Sequence, residues 1–227
     1  THTLYSQTSY IDYQSPFHPI ISDGPMVVSQ NHLSSEIGIE IIKKGGNAID
    51  AAVAVGFSLA VTLPRAGNLG GGGFMLIYLK DQNEILAIDY RGQSPSELKA
   101  DQIFGLELPK EYKNANRDIV RYGYRASTIP GTVSGLLLAH AEFGKLPLKE
   151  VMKPAIDQAM NGFHVSFDLE QAIGSAPQLS WDDESSKIYL TDGKPLKEGS
   201  VMKRPDLANT MNLISENGTK GFYEGEV

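Results

Sequence analysis

The chain of 227 residues contains no cysteine and a single tryptophan. Without thiols there is no disulfide framework, no thiolate metal site and no cysteine nucleophile. No stretch reaches the ~20 consecutive apolar residues of a membrane-spanning helix, so no membrane span is expected. Positive charge is also short: 20 Lys and Arg stand against 27 Asp and Glu, a formal net charge of -7. The two signs are well mixed, leaving no basic patch of the kind that meets nucleic acid or an anionic membrane, and no nucleic-acid partner is expected. The five histidines, His2, His18, His32, His140 and His164, show no zinc-motif spacing such as H-E-x-x-H. The polar start does not read as a signal peptide, and its lack of methionine points to a processed or trimmed N-terminus.

What the chain does have is 41% apolar residues, enough for a sizeable core, and one unusual stretch. Residues 64–95, PRAGNLGGGGFMLIYLKDQNEILAIDYRGQSP, run from a loop of four glycines into an apolar strand. A turn at residues 81–83 and a second strand over residues 84–90 follow. Gly70 to Gly73 can take positive φ and can approach another backbone or a ligand closely. Arg91 stands at the far end, where a strand gives way to a turn. Its planar fork suits a carboxylate, gripped by two parallel hydrogen bonds, and loops leaving rigid strands are where sites are built.

Around this hairpin the pattern is helical. Residues 26–30 read as a short strand, and Asn31 or Ser34 caps a helix through Lys44. Asn47 caps a second helix, with Asp50 placed in its first turn for the helix dipole rather than for chemistry. Residues 51–61 are apolar on almost every face, which marks a helix packed on several sides beneath a sheet, and Pro64 ends it. A charged surface excursion is expected over residues 95–124. Further helices are predicted from Thr132 or Ser134 to Phe143, over residues 147–162 with a kink or late start at Pro154, and over residues 167–176. Residues 177–187 read as a polar loop, residues 188–193 as a short strand and turn, and Asp206 as the cap of a last helix through Glu216.

Several motifs fail on spacing. Counting from Gly70, the sixth position of G-x-G-x-x-G is Met75 and no helix follows, and no P-loop exists. Residues 131–135 form G-x-x-S-G, one step out of register with a nucleophile elbow, so Ser134 is not read as a nucleophile. The acidic run Asp182, Asp183, Glu184 lacks the alternating ligands of an EF-hand and reads as a solvated turn. Thr1 begins a polar, proline-broken arm rather than a buried strand, so an N-terminal nucleophile there is rejected. No cofactor and no metal are expected.

Four segments, GGNAIDAAVAVGFSLAVTLPRAGNLGGGGFMLIYLKD, AIDYRGQSP, IPGTVSGL and ENGTKGFYEGEV, together resemble, in order and character, the large-subunit half of γ-glutamyltranspeptidases. The resemblance covers residues 17–227. It implies an α+β fold, part of a four-layer αββα sandwich of the N-terminal-nucleophile hydrolases. Residues 1–22 would then be an extended N-terminal arm and residues 23–227 the large-subunit portion. It implies a precursor that cuts itself into two subunits, the small one bearing an N-terminal threonine that attacks a γ-glutamyl amide. The acyl group passes to water, an amino acid or a peptide, with glutathione the usual donor. Arg91, in the family's Asp-Phe/Tyr-Arg motif, would hold the α-carboxylate of the γ-glutamyl group, and no catalytic residue falls within this chain. The nucleophile is expected beyond Val227 on a partner chain, and the location is expected to be periplasmic or secreted. Gly92 departs from the glutamate common after that arginine, which bears on the orientation of Arg91 and on donor preference. A poly-γ-glutamate depolymerase, a β-lactam side-chain acylase or a non-catalytic truncated homologue are the alternatives.

Overall fold

A computed structural model describes residues 21–99 and 126–227. Most of the expected N-terminal arm, Thr1 included, and most of the charged excursion lie outside these residues.

Two capped helices begin the described chain. Asn31 accepts a hydrogen bond from Leu33 N at 3.0 Å and starts α1, His32–Lys43. Asn47 and Asp50 form a capping box at the head of α2, Ala48–Thr62. The stretch before α1 is extended but pairs with no strand among the described residues, contrary to the expected strand at residues 26–30. It packs instead on α1, where a Cβ on Gly38 would come within 2.7 Å of Val27 Cγ1. A strand exists only when a second backbone edge completes its ladder, and local sequence cannot supply one.

The core is mainly helical. α2 lies against α1, α3 (Thr132–Phe143) and α4 (Leu148–Asn161), so its main neighbours among the described residues are helices rather than the sheet its composition suggests. Phe57, Val53 and Val61 are fully buried in this cluster with Ile41, Val133, Val151 and Met152. Gly56 permits a close approach: a Cβ there would meet Leu136 Cδ1 of α3 at 2.9 Å. Buried hydroxyls are satisfied within the cluster, Ser34 Oγ lying 2.8 Å from Ser58 Oγ and 3.0 Å from Thr62 Oγ1, while Ser58 donates to Gln158 Oε1. α4 runs through Pro154 without a break. The carbonyl that loses its donor there belongs to Glu150, an exposed residue.

Asp50 does more than cap its own helix. Fully buried, it accepts from Asn47 N at 2.9 Å and also from Lys145 N at 3.0 Å and Leu146 N at 3.3 Å, in the loop between α3 and α4. Asn47 Nδ2 adds a bond to Phe143 O at 2.6 Å.

The strands among the described residues are few. β1, Phe74–Leu79, and β2, Glu84–Asp89, form an antiparallel hairpin in the register Phe74↔Asp89 to Leu79↔Glu84. One face, with Ile77, turns inward; the other carries Phe74, Leu76, Tyr78 and Ile85 bare to solvent. β3 (Phe163–His164) pairs with β6 (Val201–Met202), and β4 (Leu190–Thr191) with β5 (Lys194–Pro195). The β4–β5 turn places Asp192 and Gly193 at φ 52 and 72, the left-handed pair that a tight hairpin requires.

The second half corrects two expectations. Residues 177–187 are not a loop: a 3-10 turn, Pro177–Trp181, leads into α6, Asp183–Tyr189, which follows α5, Phe167–Gly174. Asp182 caps α6 by accepting from Ser185 N at 2.8 Å, so the acidic run is a helix start with its charges on the favourable end of the dipole. In α7, Pro205–Asn217, the cap position is Arg204 and Pro205 opens the helix, which moves Asp206 inside the first turn. α8, Lys220–Tyr223, then doubles back on α7; Gly221 permits this, because any Cβ there would run into the backbone of Leu213.

Candidate functional site

The hairpin ends in a backbone crossing. At the close of β2 the Asp89 carboxylate accepts from Arg91 N at 2.9 Å, bending the chain as the strand finishes. Two residues on, Gln93 and Ile129 pair antiparallel, Ile129 N donating to Gln93 O at 2.7 Å. The glycine loop closes the third side: Gly71 O accepts from Gly131 N at 2.8 Å and from Thr132 N at 3.1 Å, at the start of α3. Residues 71–73, 90–93 and 128–132 therefore meet through main-chain atoms.

Such contact leaves no room for side chains, and that is why glycines stand here. None of Gly70 to Gly73 has positive φ; what the structure uses, at Gly72 and Gly73, is the lack of a Cβ. A Cβ on Gly72 would lie 2.6 Å from Tyr90 O, and one on Gly73 would lie 2.8 Å from the Tyr90 ring. On the opposite side Gly131 abuts the Tyr90 carbonyl and Gly135 the Tyr90 ring. Gly92, the departure noted in the sequence, faces Thr128, whose Cβ would be 3.1 Å from an added methyl. Gly131→Ala is expected to lower the stability of the protein by about 3 kcal/mol, because both colliding groups are backbone and neither can rotate away. Thermal unfolding of the variant measures this, and an unchanged midpoint contradicts the packing described.

The crossing forms the floor of a cleft of about 400 Å³, lined among others by Asp89, Tyr90, Arg91, Pro130, Ser134 and Tyr223. Burial pushes the Tyr90 phenol above its ordinary pKa, so it is a neutral wall. Arg91 is exposed, and no carboxylate among the described residues pairs with its guanidinium. Arg65, by contrast, is spent on Asp168 at 2.7 Å. Ser134 Oγ donates to Gly131 O at 2.9 Å within the first turn of α3, which gives that serine a structural task. No group of three metal-binding side chains occurs among the described residues, and no helix among them is long and apolar enough to cross a membrane.

Sequence reasoning named Arg91 but not the residues that line the cleft with it. Pro130 and Tyr223 reach the cleft from segments that are far apart along the chain. Their only signal was membership of the short segments IPGTVSGL and ENGTKGFYEGEV.

A sequence-family model described as gamma-glutamyltranspeptidase matches residues 34–227. The glutathione hydrolase proenzyme of Escherichia coli (strain K12) is 38% identical over 221 residues, covering 96% of this chain and 37% of that protein. The capsule biosynthesis protein CapD proenzyme of Bacillus anthracis is 35% identical over 205 residues, covering 90% of this chain and 34% of that one. The crystal structure of Helicobacter pylori gamma-glutamyltranspeptidase superposes with a TM-score of 0.84 at 35% identity, over 92% of this chain and 59% of that one. The likeness carries the expected α+β, N-terminal-nucleophile-hydrolase fold class. This chain thus spans little more than a third of the length of these two curated relatives.

Proposed function

The chain belongs to the γ-glutamyltranspeptidase family, and from that premise we propose that it is the substrate-gripping portion of the large subunit of a γ-glutamyl acyltransferase and hydrolase. The observation that carries the reading is Arg91: an exposed guanidinium without a carboxylate partner among the described residues, at the mouth of a cleft whose floor is locked by backbone contacts. In this reading Arg91 binds the α-carboxylate of a γ-glutamyl donor such as glutathione through two parallel charge-assisted hydrogen bonds. That anchor sets the γ-carbonyl at a fixed distance along the glutamyl chain. A threonine at the N-terminus of a partner subunit attacks this carbonyl; the amide C–N bond breaks and the amine leaves with a proton. The ester so formed is cleaved by water or by an amino-acid or peptide amine.

The partner subunit also accounts for the bare face of the hairpin. Phe74, Leu76, Tyr78 and Ile85 project side by side from β1 and β2 with 60–77% of their surface exposed, an apolar patch of the kind that contacts another layer. We place the second sheet of the sandwich there. An exported location, periplasmic or secreted, goes with the same family reading.

Donor choice tests it. The assembled two-subunit enzyme is expected to release the aniline from a γ-glutamyl anilide at least tenfold faster, as kcat/KM, than from the same anilide lacking the α-carboxylate. Poly-γ-glutamate and a glutaryl-cephalosporin are the companion substrates. Equal rates with and without the carboxylate would overturn the role of Arg91; faster release from either companion would reassign the donor class.

A further inference from the structure

α3 begins without a cap of its own. Its N-cap residue is Gly131, which has no side chain to offer, and no side-chain cap bond is made there. Of the first amides of the helix, Thr132 N is taken by Gly71 O at 3.1 Å. Ser134 N finds its acceptor on another element: it donates to Tyr223 Oη at 3.2 Å. The same phenol donates to Pro130 O at 2.8 Å. One hydroxyl of α8 thus both caps the helix and holds the turn in front of it.

That turn is the wall on which the arginine segment rests. Gly131 abuts the Tyr90 carbonyl, Gly135 abuts the Tyr90 ring, and Ile129 pairs with Gln93, so residues 129–135 support residues 90–93 on the side opposite the glycine loop. Tyr223 lines the same cleft as Arg91. Its own position is set from behind, by Gly221 lying on the Leu213 backbone and by the edge-on contact of its ring with Phe222 at 5.0 Å.

We propose that Tyr223 is a positioning residue of the Arg91 cleft: its hydroxyl pins Pro130 to Ser134 and so fixes the backbone from which Arg91 reaches the donor carboxylate. The inference rests on the donor-binding role proposed for Arg91 and adds a residue to that site. Tyr223 acts through the wall and takes no part in bond breaking. Its loss therefore weakens donor binding and leaves turnover alone, and the weakening disappears when there is no arginine to position.

The test is a double-mutant cycle on the assembled two-subunit enzyme with a γ-glutamyl anilide. Tyr223→Phe, which keeps the ring and deletes both hydrogen bonds, is expected to raise the donor KM roughly fivefold with kcat changed less than twofold. In an Arg91→Ala background the same substitution is expected to change KM less than twofold. A Tyr223→Phe variant with wild-type KM, or one whose fivefold effect persists in full beside Arg91→Ala, would overturn the proposal while leaving the arginine assignment standing. An Arg91→Ala enzyme with wild-type KM overturns both. Should Tyr223→Phe fail to assemble, hydrogen exchange of the wild-type segment 129–135 gives the reading instead. A bound γ-glutamyl donor analogue slows that exchange if wall and cleft are one unit; unaltered exchange refutes the coupling.

Discussion

Arg91→Ala is expected to raise the donor KM of the assembled enzyme roughly 30-fold. A hydrogen-bonded contact to a charged group is worth about 2 kcal/mol, and each 1.4 kcal/mol is a factor of about ten. In open water the Coulomb attraction between such charges is only about 1 kcal/mol at contact, so in the proposed assembly the effect grows with the solvent that donor and second subunit displace. Arg91→Lys keeps the charge but loses the fork that matches both carboxylate oxygens, and is expected to recover part of the affinity. The donor without an α-carboxylate supplies the control: its KM is expected to be the same for wild type and Arg91→Ala. Steady-state kinetics with both donors on correctly processed enzyme decides the matter. An Arg91→Ala enzyme that binds the full donor normally would remove the arginine from the site.

Asp50→Ala is expected to be the most destabilising single change, at about 3–5 kcal/mol. The carboxylate is fully buried and accepts from the main-chain amides of Asn47, Lys145 and Leu146. Alanine leaves all three partly buried donors without that acceptor, at up to about 1–3 kcal/mol for each group left unmet. Not every amide stays orphaned once the loop relaxes, which holds the total below the sum. The figure is still a large share of the 5–15 kcal/mol typical of a folded domain. Asp50→Asn retains one acceptor oxygen but turns an NH2 toward amide donors, so it falls between wild type and alanine. Thermal midpoints are expected to fall from the wild type through Asp50→Asn to Asp50→Ala. An alanine variant as stable as the wild type would mean that the carboxylate is no more than a helix cap.

Asp50 also shows where reading the sequence stops. Its place three residues after Asn47 announces the capping box, because a helix start is decided by atoms within one turn. Its second role lies 95 residues away in the loop at Lys145, and no local pattern carries that. The acidic run at residues 182–184 failed in the opposite direction. Read for composition it was a loop, yet Asp182 accepting from Ser185 N is enough to start a short helix. At α7 the signal was present and misjudged: proline favours the first helical position, which assigns the cap to Arg204 and not to Asp206.

The hairpin fared better in outline than in detail. Two apolar runs with a turn between them specified β1 and β2, and the cation after them pointed to the candidate site. The glycine loop was expected to serve either unusual φ or close approach, and only the second is used.

By itself the sequence determined the capped starts of α1 and α2, the hairpin, the family, and Arg91 as the residue to watch. These follow from near-neighbour chemistry and from ordered motifs, both of which are linear. The tertiary structure alone decided that residues 71–73 cross the main chain of residues 90–93 and 129–132, that Arg91 shares one cleft with Pro130, Ser134 and Tyr223, and that the glycines at the crossing are there for contact. The physical reason is that backbone-to-backbone approach depends on which distant main chains the packed helices bring together, and a missing Cβ is silent about the partner it makes room for.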